Sequence, residues 1–429
     1  MQNDWRIPVF VDVFAGCGGL SLGLLRAGWR GLFAIEKDRF AFATLKANLI
    51  DDGTRYRFDW PDWLEKRPWT IEEFEEAHRK QLNNLRGKVD LLAGGPPCQG
   101  FSSAGRRRQS DPRNQLVERY LELVDLLRPR MVLIENVRGI TYDFVSSDGS
   151  LRRNFAEELV GRLMKRYLVY AETIRCSSFG VPQERPRFFI IGMLKSEFGD
   201  RGPLMTPFER LVSIRDSFLR ERGLTPHVTC KQAISDLELA RAGKGPCADS
   251  KGYEALLTIA PRTRYQIAMR DGHQGPISDT RLAKHRPHIV KRFEQIIAEC
   301  KATGRLNVQL NSAMRDRYGL KKKAIRVLDP SKPAPTITSM PDDLLHYSEP
   351  RTLTVRENAR LQTFPDWFVF KGKYTTGGHR RAQEIPRFTQ VANAVPPLLA
   401  EMFGECLMSY LMPLSLEKRG AAQGLELAG

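Results

Sequence analysis

The 429-residue sequence lacks the long apolar segments, paired cysteines and secretion signal that would indicate a membrane or extracellular protein. No stretch approaches the roughly 18 consecutive apolar residues of a membrane-spanning helix. The first residues do not show a basic and then apolar pattern. The seven cysteines form no Cys-x-x-Cys pair, which argues against a zinc site and a disulfide framework. We therefore expect a cytoplasmic protein with reduced thiols, no metal and no membrane contact.

Acidic residues are in the minority. The chain has 67 Lys or Arg against 50 Asp or Glu, a formal net charge of +17, which indicates a polyanionic partner. Residues 262–332 hold 17 Lys or Arg and 6 Asp or Glu, an excess of 11 positive charges. A solvated basic face would explain any single run of cations. The concentration of most of the excess in one segment favours a nucleic-acid surface instead.

A predicted strand, a glycine-rich turn and a predicted helix open the chain. The apolar run at residues 9–14 leads into Gly16, Gly18 and Gly19, and leucines at helical spacing follow. This order is typical of the first unit of a nucleotide-binding α/β sheet. A nicotinamide or flavin dinucleotide site would need a third small, glycine-like residue where the chain has Ser21, which argues against that class of enzyme.

An acid ends the second predicted strand. Glu36 follows the apolar residues 32–35, and its carboxylate is in position to accept from both hydroxyls of a ribose. S-adenosylmethionine offers such a ribose without a pyrophosphate, which suits the shorter glycine turn. Two helix starts are also predicted by capping boxes, one at Thr70-x-x-Glu73 and one at Thr354-x-x-Glu357.

The most informative stretch is residues 94–102, Gly-Gly-Pro-Pro-Cys-Gln-Gly-Phe-Ser, which follows an apolar strand at residues 89–93. Open α/β sheets bind their ligands at the carboxyl ends of their strands. Prolines restrict the backbone and the glycines allow sharp bends, so the thiol is held at a stiff point. A small buried cysteine in an ordinary turn is the alternative. We predict that Cys98 is a nucleophile.

Charged side chains follow at the ends of two further strands. The predicted buried strand at residues 130–134 delivers Glu135 to the same edge of the sheet as Cys98. Arg185 and Arg187 are two residues apart on an extended segment and therefore face the same side. Together they could clamp a base carbonyl and nearby carboxylates. A polar strand cap and exposed ion-pairing arginines are the alternatives.

These motifs together resemble those of the DNA cytosine-C5 methyltransferases of the bacterial modification type. The resemblance covers residues 9–193 and 351–410. It implies an α/β fold: a Rossmann-like S-adenosylmethionine-dependent methyltransferase sheet with a second, smaller target-recognition domain. The catalytic domain would span residues 1–199, completed by 386–429, and the recognition domain residues 200–385. The matching motifs are Phe-x-Gly-x-Gly-Gly at 14–19, Gly-Pro-Pro-Cys-Gln at 95–99, Glu-Asn-Val at 135–137, Gln-x-Arg-x-Arg at 183–187 and Gln-x-x-Asn-x-Val at 390–395.

The resemblance implies a covalent mechanism on a cytosine flipped out of duplex DNA. Cys98 adds to C6, Glu135 as a neutral acid protonates N3, and the methyl group passes from S-adenosylmethionine to C5. Arg187 matches the residue expected on the cytosine O2. Arg185 matches the residue that holds the acid and the loop in place.

The resemblance also assigns binding residues and partners. Double-stranded DNA is the expected macromolecular partner, the chain is expected to be a monomer, and a nuclease or defence proteins are expected as genetic partners. The DNA-contacting residues would be Ser102, Arg106, Arg107 and Arg108. The cofactor-binding residues would be Phe14, Gly16, Cys17, Gly18, Gly19, Glu36, Lys37, Asp59, Trp60, Gly94, Pro96, Asn393 and Val395.

Two other functions stay open on the sequence. A tRNA-methylating branch of the same family shares the fold, although the large basic segment favours DNA. A catalytically silent DNA-binding regulator is the second alternative. The presence of Cys98, Glu135, Arg185 and Arg187 argues against it.

Overall fold

The computed structural model describes residues 7–96, 115–145, 152–376 and 383–411. Strands occur in both halves of the chain. They are Val9–Val13 (β1), Arg30–Ile35 (β2), Leu91–Gly94 (β3), Met131–Val137 (β4), Phe144–Val145 (β5), Arg152–Arg153 (β6), Tyr167–Arg175 (β7), Gln183–Glu184 (β8), Pro186–Leu194 (β9), Lys244–Pro246 (β10), Glu254–Leu256 (β11), Arg326–Val327 (β12), Ala334–Pro335 (β13) and Leu344–Leu345 (β14).

The helices lie between and after these strands. Within the described ranges, none of them is both long enough and apolar enough to span a bilayer. They are Gly19–Arg26 (α1), Arg39–Leu49 (α2), Ile71–Ala77 (α3), Arg79–Asn84 (α4), Gln115–Leu127 (α5), Phe155–Met164 (α6), Lys195–Phe198 (α7), Pro207–Glu221 (α8), Cys230–Ile234 (α9), Leu239–Ala242 (α10), Arg264–Arg270 (α11), Pro287–Ala302 (α12), Ser312–Arg317 (α13), Val355–Leu361 (α14), Arg387–Asn393 (α15) and Pro397–Leu411 (α16).

One mixed sheet forms the centre of the molecule. Its strand order is β2-β1-β3-β4-β9-β7. The strands β1 to β4 run parallel, whereas β9 is antiparallel to both β4 and β7. This mostly parallel sheet confirms the predicted α/β, Rossmann-like fold. The reversal at β9 is not predicted. It arises because residues 176–185 are too short for the crossover of about a dozen residues that a parallel neighbour needs.

Apolar side chains cover both faces of the sheet. Phe10 and Leu91 pack into a cluster that includes α1 and α16, while Val11 and Leu92 point to the opposite face, towards α3, α5 and α6. Successive strand residues alternate between faces, so a strand buried on both sides reads as a continuous apolar run. The apolar runs of the sequence therefore coincide with the central strands.

Helix α1 packs very closely against α16 at Gly23. A Cβ atom at this position would lie 2.4 Å from the Cβ of Ala400 and 2.6 Å from the carbonyl oxygen of Pro397. Backbone atoms cannot give way as a flexible side chain can. We predict that Gly23→Ala lowers the free energy of unfolding by about 1–3 kcal/mol, as overpacking does.

The control for this prediction is Gly161→Ala in α6. Nothing lies within 4 Å of a Cβ atom built at Gly161. Alanine is the better helix former, so this variant should gain up to about 1 kcal/mol. Urea denaturation of both variants measures the difference, and an unchanged midpoint for Gly23→Ala would contradict the packing argument.

The two predicted capping boxes have different outcomes. At the start of α14, Glu357 N donates to Thr354 Oγ1 and Thr354 N donates to Glu357 Oε2, so that box is confirmed. At the start of α3, Glu73 N donates to Thr70 Oγ1, but the Glu73 carboxylate accepts from Arg67. The second box is therefore only half formed, because the Glu73 carboxylate pairs with Arg67 instead of accepting from the Thr70 backbone.

The hydrophobic core continues beyond residue 199. Phe208 and Leu219 of α8 belong to the same cluster as Phe10 of β1. A separate small cluster forms around Phe293 and Ile296 of α12. We call residues 200–385 the inserted region. Its description as an independent target-recognition domain stays a prediction.

Candidate active site

The predicted acid and one predicted arginine meet where β4 ends. Val137 pairs in register with Arg187 of β9, and Glu135 lies two residues before Val137, so Glu135 and Arg187 are diagonal neighbours on one face. Arg187 Nε lies 2.9 Å from Glu135 Oε1, and each side chain is 11% exposed. The other carboxylate oxygen, Oε2, makes no hydrogen bond to any residue that the structure describes. Arg187 therefore orients the Glu135 carboxyl group, and we call its Oε2 the open oxygen.

Arg185 makes its described hydrogen bonds at the end of α15. It is buried, and its Nη2 donates to the carbonyl oxygens of Ala392 at 2.8 Å and Ala394 at 3.3 Å. Its Nε and Nη1 have no hydrogen-bond partner within the described ranges. Burial and, to a smaller extent, the charge of Arg187 lower the pKa of the Arg185 guanidinium to about 9, and the nearby charge of Glu135 opposes this lowering. Among the described residues Arg187 makes the ion pair with Glu135, while Arg185 binds the turn after α15. The predicted role of Arg185 in holding the acid and the loop stays a prediction.

The beginning of the predicted nucleophile loop lies beside Glu135. Asn136 Nδ2 donates to the carbonyl oxygen of Pro96 at 3.0 Å. A Cβ atom at Gly95 would be 3.3 Å from Glu135 Oε2, so the loop backbone passes close to the open oxygen. Gly94 also needs its small size, because a Cβ atom there would meet Val13 O at 2.6 Å. The remaining predicted loop residues lie outside the described part of the chain; they are Cys98, Ser102, Arg106, Arg107 and Arg108.

The glycine-rich turn is organised by Glu36. Gly16 N donates to Glu36 Oε2 at 2.9 Å and Asp38 N donates to Oε1 at 2.7 Å. Burial raises the pKa of the Glu36 carboxyl, and these two hydrogen bonds oppose that rise. The turn needs left-handed backbone at Phe14 and Gly18, with φ of 60° and 93°. Each Glu36 oxygen keeps a further lone pair, so the acid can still accept from a ligand.

The end of α15 closes against this turn. A Cβ atom at Gly19 would lie 2.4 Å from the carbonyl oxygen of Val395, so only glycine allows this approach. Cys17 Sγ donates to the carbonyl oxygen of Gln390 at 3.6 Å. Val395 is buried, whereas Asn393 is exposed at the end of the helix. The structure thus brings the predicted first and last cofactor motifs together, although they are far apart in the sequence.

Three further predicted cofactor residues lie at the end of β2 or after α2. Lys37 is exposed. Asp59 is also exposed, with its Oδ2 3.8 Å from Arg30 Nε. Trp60 is half-buried and donates its Nε1 to the carbonyl oxygen of Leu64 at 2.7 Å. Their predicted role in cofactor binding stays a prediction.

Asp12 is a residue of this site that sequence reasoning missed. It lies buried in β1, where Ser21 Oγ donates to its Oδ2 at 2.5 Å. Its Oδ1 has no hydrogen-bond partner within the described part of the chain. Burial raises the pKa of Asp12 to about 7, and the charge of Glu36 adds to the rise. A charged residue inside the apolar run at residues 9–14 was the available signal.

Among the described residues, no cluster of His, Cys, Asp or Glu could hold a metal ion. The described cysteines are mostly unreactive by environment. Burial raises the pKa of the Cys17 thiol to about 12, that of Cys176 to about 11 and that of Cys406 to about 12. Cys230 and Cys300 are buried as well, and burial raises their thiol pKa values. The thiolate is the reactive form, so these five thiols should react slowly.

We predict that a thiol-alkylating reagent at pH 8 modifies only Cys98 and Cys247 in the folded protein. Cys247 is the described cysteine that is not fully buried. Peptide mass spectrometry after short exposure measures this, with protein in urea as the control in which all seven cysteines react. Rapid modification of Cys17 in the folded protein would show that the glycine turn is not packed as described.

Comparisons with known proteins agree with this geometry. The family described as C-5 cytosine-specific DNA methylase matches residues 9–409. The Type II methyltransferase M.DdeI of Desulfomicrobium norvegicum is 32% identical over 416 residues, covering 95% of this chain and 90% of that protein. The Type II methyltransferase M1.HphI of Haemophilus parahaemolyticus is 29% identical, covering 93% and 86%. A solved Escherichia coli prophage protein assigned as a DNA modification methyltransferase shares the fold, with a TM-score of 0.61, 24% identity and coverage of 94% and 99%.

The mixed sheet, the glycine turn after β1 and the acid at the tip of β4 define a Rossmann-like α/β fold with a candidate active site at the strand tips. The chain belongs to the C-5 cytosine-specific DNA methylase family, whose match covers nearly its whole length. It is accordingly a DNA cytosine-C5 methyltransferase. Neither the RNA-methylating alternative nor the silent regulator is favoured by these matches.

Proposed function

We propose that this enzyme methylates C5 of a cytosine in duplex DNA through a covalent adduct with Cys98, using S-adenosylmethionine. One observation carries the proposal: Arg187 holds Glu135 at the tip of β4 with its second oxygen open, beside the backbone that leads to Cys98. The acid and the cation thus lie at the edge of the sheet, beside the start of the loop that holds Cys98, and we propose that the pyrimidine ring binds there.

The chemistry requires these groups in this order. Cytosine C5 is a weak nucleophile, and attack of the Cys98 thiolate on C6 turns the ring into an enamine with electron density at C5. Glu135 protonates N3 as the thiolate adds, so negative charge does not build up on the ring. Arg187 orients Glu135 and stabilises charge at O2. C5 then takes up the methyl group, a base removes the C5 proton, and the thiolate leaves C6.

The residues around the glycine turn fit the proposed cofactor. When bound, S-adenosylmethionine supplies a methyl group activated by a sulfonium. Glu36 has lone pairs left for two ribose hydroxyls, and the turn has Ser21 where a dinucleotide motif needs its third glycine. Val395 and Asn393 would form the opposite wall. We propose that the other assigned residues line the same site. They are Phe14, Gly16, Cys17, Gly18, Gly19, Lys37, Asp59, Trp60, Gly94 and Pro96.

A cytosine inside a duplex is shielded by stacking, so the target base must be flipped out at a cost of a few kcal/mol. The basic inserted region supports binding to the DNA phosphates. We propose Arg106, Arg107 and Arg108 as further phosphate contacts and Ser102 as a contact near the flipped base. The relatives named as Type II methyltransferases support a role in restriction-modification, with a nuclease as genetic partner. We propose a monomer that acts in the cytoplasm.

Transfer of labelled methyl groups tests the proposal. Purified enzyme is incubated with labelled S-adenosylmethionine and unmethylated genomic DNA, and bisulfite sequencing maps the modified bases. We expect 5-methylcytosine in one short recurring sequence and no label in transfer RNA. Label in RNA only, or S-adenosylmethionine binding without methylation of either nucleic acid, would contradict the proposal.

A further inference from the structure

Five side chains form an alternating stack of cations and aromatic rings between the inserted region and α15. In order they are Lys284, Tyr253, Arg281, Tyr374 and Arg387, and we call them the cation–π ladder. The Lys284 Nζ lies 4.7 Å from the centre of the Tyr253 ring, and the Arg281 guanidinium lies 4.3 Å from the same ring. Arg281 and Arg387 lie 3.7 and 4.1 Å from the Tyr374 ring.

Two carboxylates accept hydrogen bonds at the Tyr374 and Arg387 end of the ladder. Asp249, in the turn between β10 and β11, accepts from Tyr374 Oη at 2.9 Å and from Arg387 Nη1 at 2.5 Å. Asp279 is fully buried and accepts from the same Nη1 at 2.9 Å. Arg387 therefore touches one ring and two carboxylates, all from outside its own helix. Partly buried cation–π and charged contacts of this kind are stronger than exposed ones.

The helix that receives these contacts is short and has no side-chain cap. Arg387 is the first residue of α15, which has only seven residues and no side-chain cap at its N-terminus, where Pro386 precedes it. Helices this short are not stable by themselves. Further along α15, Gln390 Oε1 accepts from Thr44 of α2 at 2.6 Å. The helix is thus held at its start by the inserted region, at its middle by α2 and at its end by Arg185.

We propose that the cation–π ladder is a positioning device that lets the inserted region hold the wall of the cofactor site in place. The end of α15 delivers Asn393 and Val395, so loosening Arg387 at its start displaces both. The inference rests on the proposed function, because it takes these two residues as cofactor contacts. It adds that affinity for S-adenosylmethionine depends on Tyr374, Arg281 and Arg387.

The test measures binding of S-adenosylmethionine without DNA, by calorimetry, together with the melting temperature. Tyr374→Leu removes the central ring, and Arg281→Gln removes one cation without touching a ring. We expect each to weaken binding about tenfold, in line with the loss of two ring contacts. Tyr374→Phe keeps the ring and loses only the hydrogen bond to Asp249. It should restore binding to within about threefold of the wild type.

Tyr318→Leu is the matched control. Tyr318 also lies in the inserted region and donates to a carboxylate, Glu299 Oε2 at 2.7 Å, but it packs in the separate cluster around α12. We expect this variant to bind the cofactor like the wild type. If it weakens binding as much as Tyr374→Leu does, the effect is general destabilisation and the inference is overturned.

The remaining outcomes separate the inference from the proposed function. A wild-type enzyme that binds no S-adenosylmethionine would refute the proposed cofactor. If the wild type binds S-adenosylmethionine and both Tyr374→Leu and Arg281→Gln bind it equally well, the inference about the ladder is overturned while the proposed function stands. An Arg281→Gln variant with unchanged cofactor affinity and a raised KM for DNA would also overturn the inference, because Arg281 would then contact DNA.

Discussion

Replacing Cys98 by alanine is expected to reduce methyl transfer to background while the protein still folds and binds DNA. The reason is chemical. Without a nucleophile at C6, C5 keeps its low reactivity, and neither Glu135 nor Arg187 can raise it alone. Initial rates of methyl incorporation measure the loss, and a filter-binding or anisotropy assay measures DNA affinity.

The control for this variant is Cys300→Ala. Cys300 is buried in the small cluster of α12, away from the Glu135 site, and its loss removes only one sulfur from that cluster. We expect near wild-type rates. A Cys98→Ala enzyme that retains even a few per cent of the wild-type rate would mean that methyl transfer does not need the covalent adduct.

The second large effect is expected at Glu135. Glutamine has the same shape and can still accept from Arg187 Nε through its carbonyl oxygen, but it cannot supply the proton for N3. We predict that Glu135→Gln lowers kcat by about 10²–10⁴-fold, the usual contribution of a general acid. Because the substitution leaves the glycine turn untouched, affinity for S-adenosylmethionine should not change.

Glu184→Gln is the matched control for the acid. Glu184 is a nearby but exposed glutamate whose Oε2 lies 3.8 Å from Arg175 Nη1. Its replacement should leave kcat close to that of the wild type. Equal kcat values for Glu135→Gln and Glu184→Gln near neutral pH would remove Glu135 from the mechanism.

Most of the central sheet and the position of the acid could be predicted from the sequence. The apolar runs are local signals, and each one ends at a strand tip where ligands bind in this fold. Glu36 and Glu135 follow such runs directly, so both lie at the predicted edge. The capping box of Thr354 and Glu357 is likewise local and is confirmed.

The roles of the two arginines could not be separated in this way. A spacing of two residues predicts that Arg185 and Arg187 face one side, which holds only within a regular strand. Strand β9 begins at Pro186, so Arg185 lies before it. Its guanidinium instead reaches carbonyl groups more than 200 residues later in the chain. Which arginine meets Glu135 depends on the register of an antiparallel pair that the sequence does not show.

Long-range contacts explain the other differences. The hydrogen bond between Ser21 and Asp12 requires the turn to fold back on β1, and the half-formed box at Thr70 results from competition by Arg67. The cation–π ladder joins residues 253, 281, 284, 374 and 387, and no local pattern marks any of them. Such features depend on packing between distant segments, which propensity and periodicity do not encode.

Trapping of the covalent adduct tests directly whether Cys98 attacks the cytosine ring. In a duplex that carries 5-fluorocytosine at the mapped target position, the ring can be attacked and methylated, but fluorine cannot leave C5 as a proton does. We expect one protein–DNA adduct that survives denaturation, maps to the peptide containing Cys98 and is absent from Cys98→Ala. Methylation of the normal duplex with no adduct on the fluorinated one, or an adduct on another cysteine, would contradict this attack.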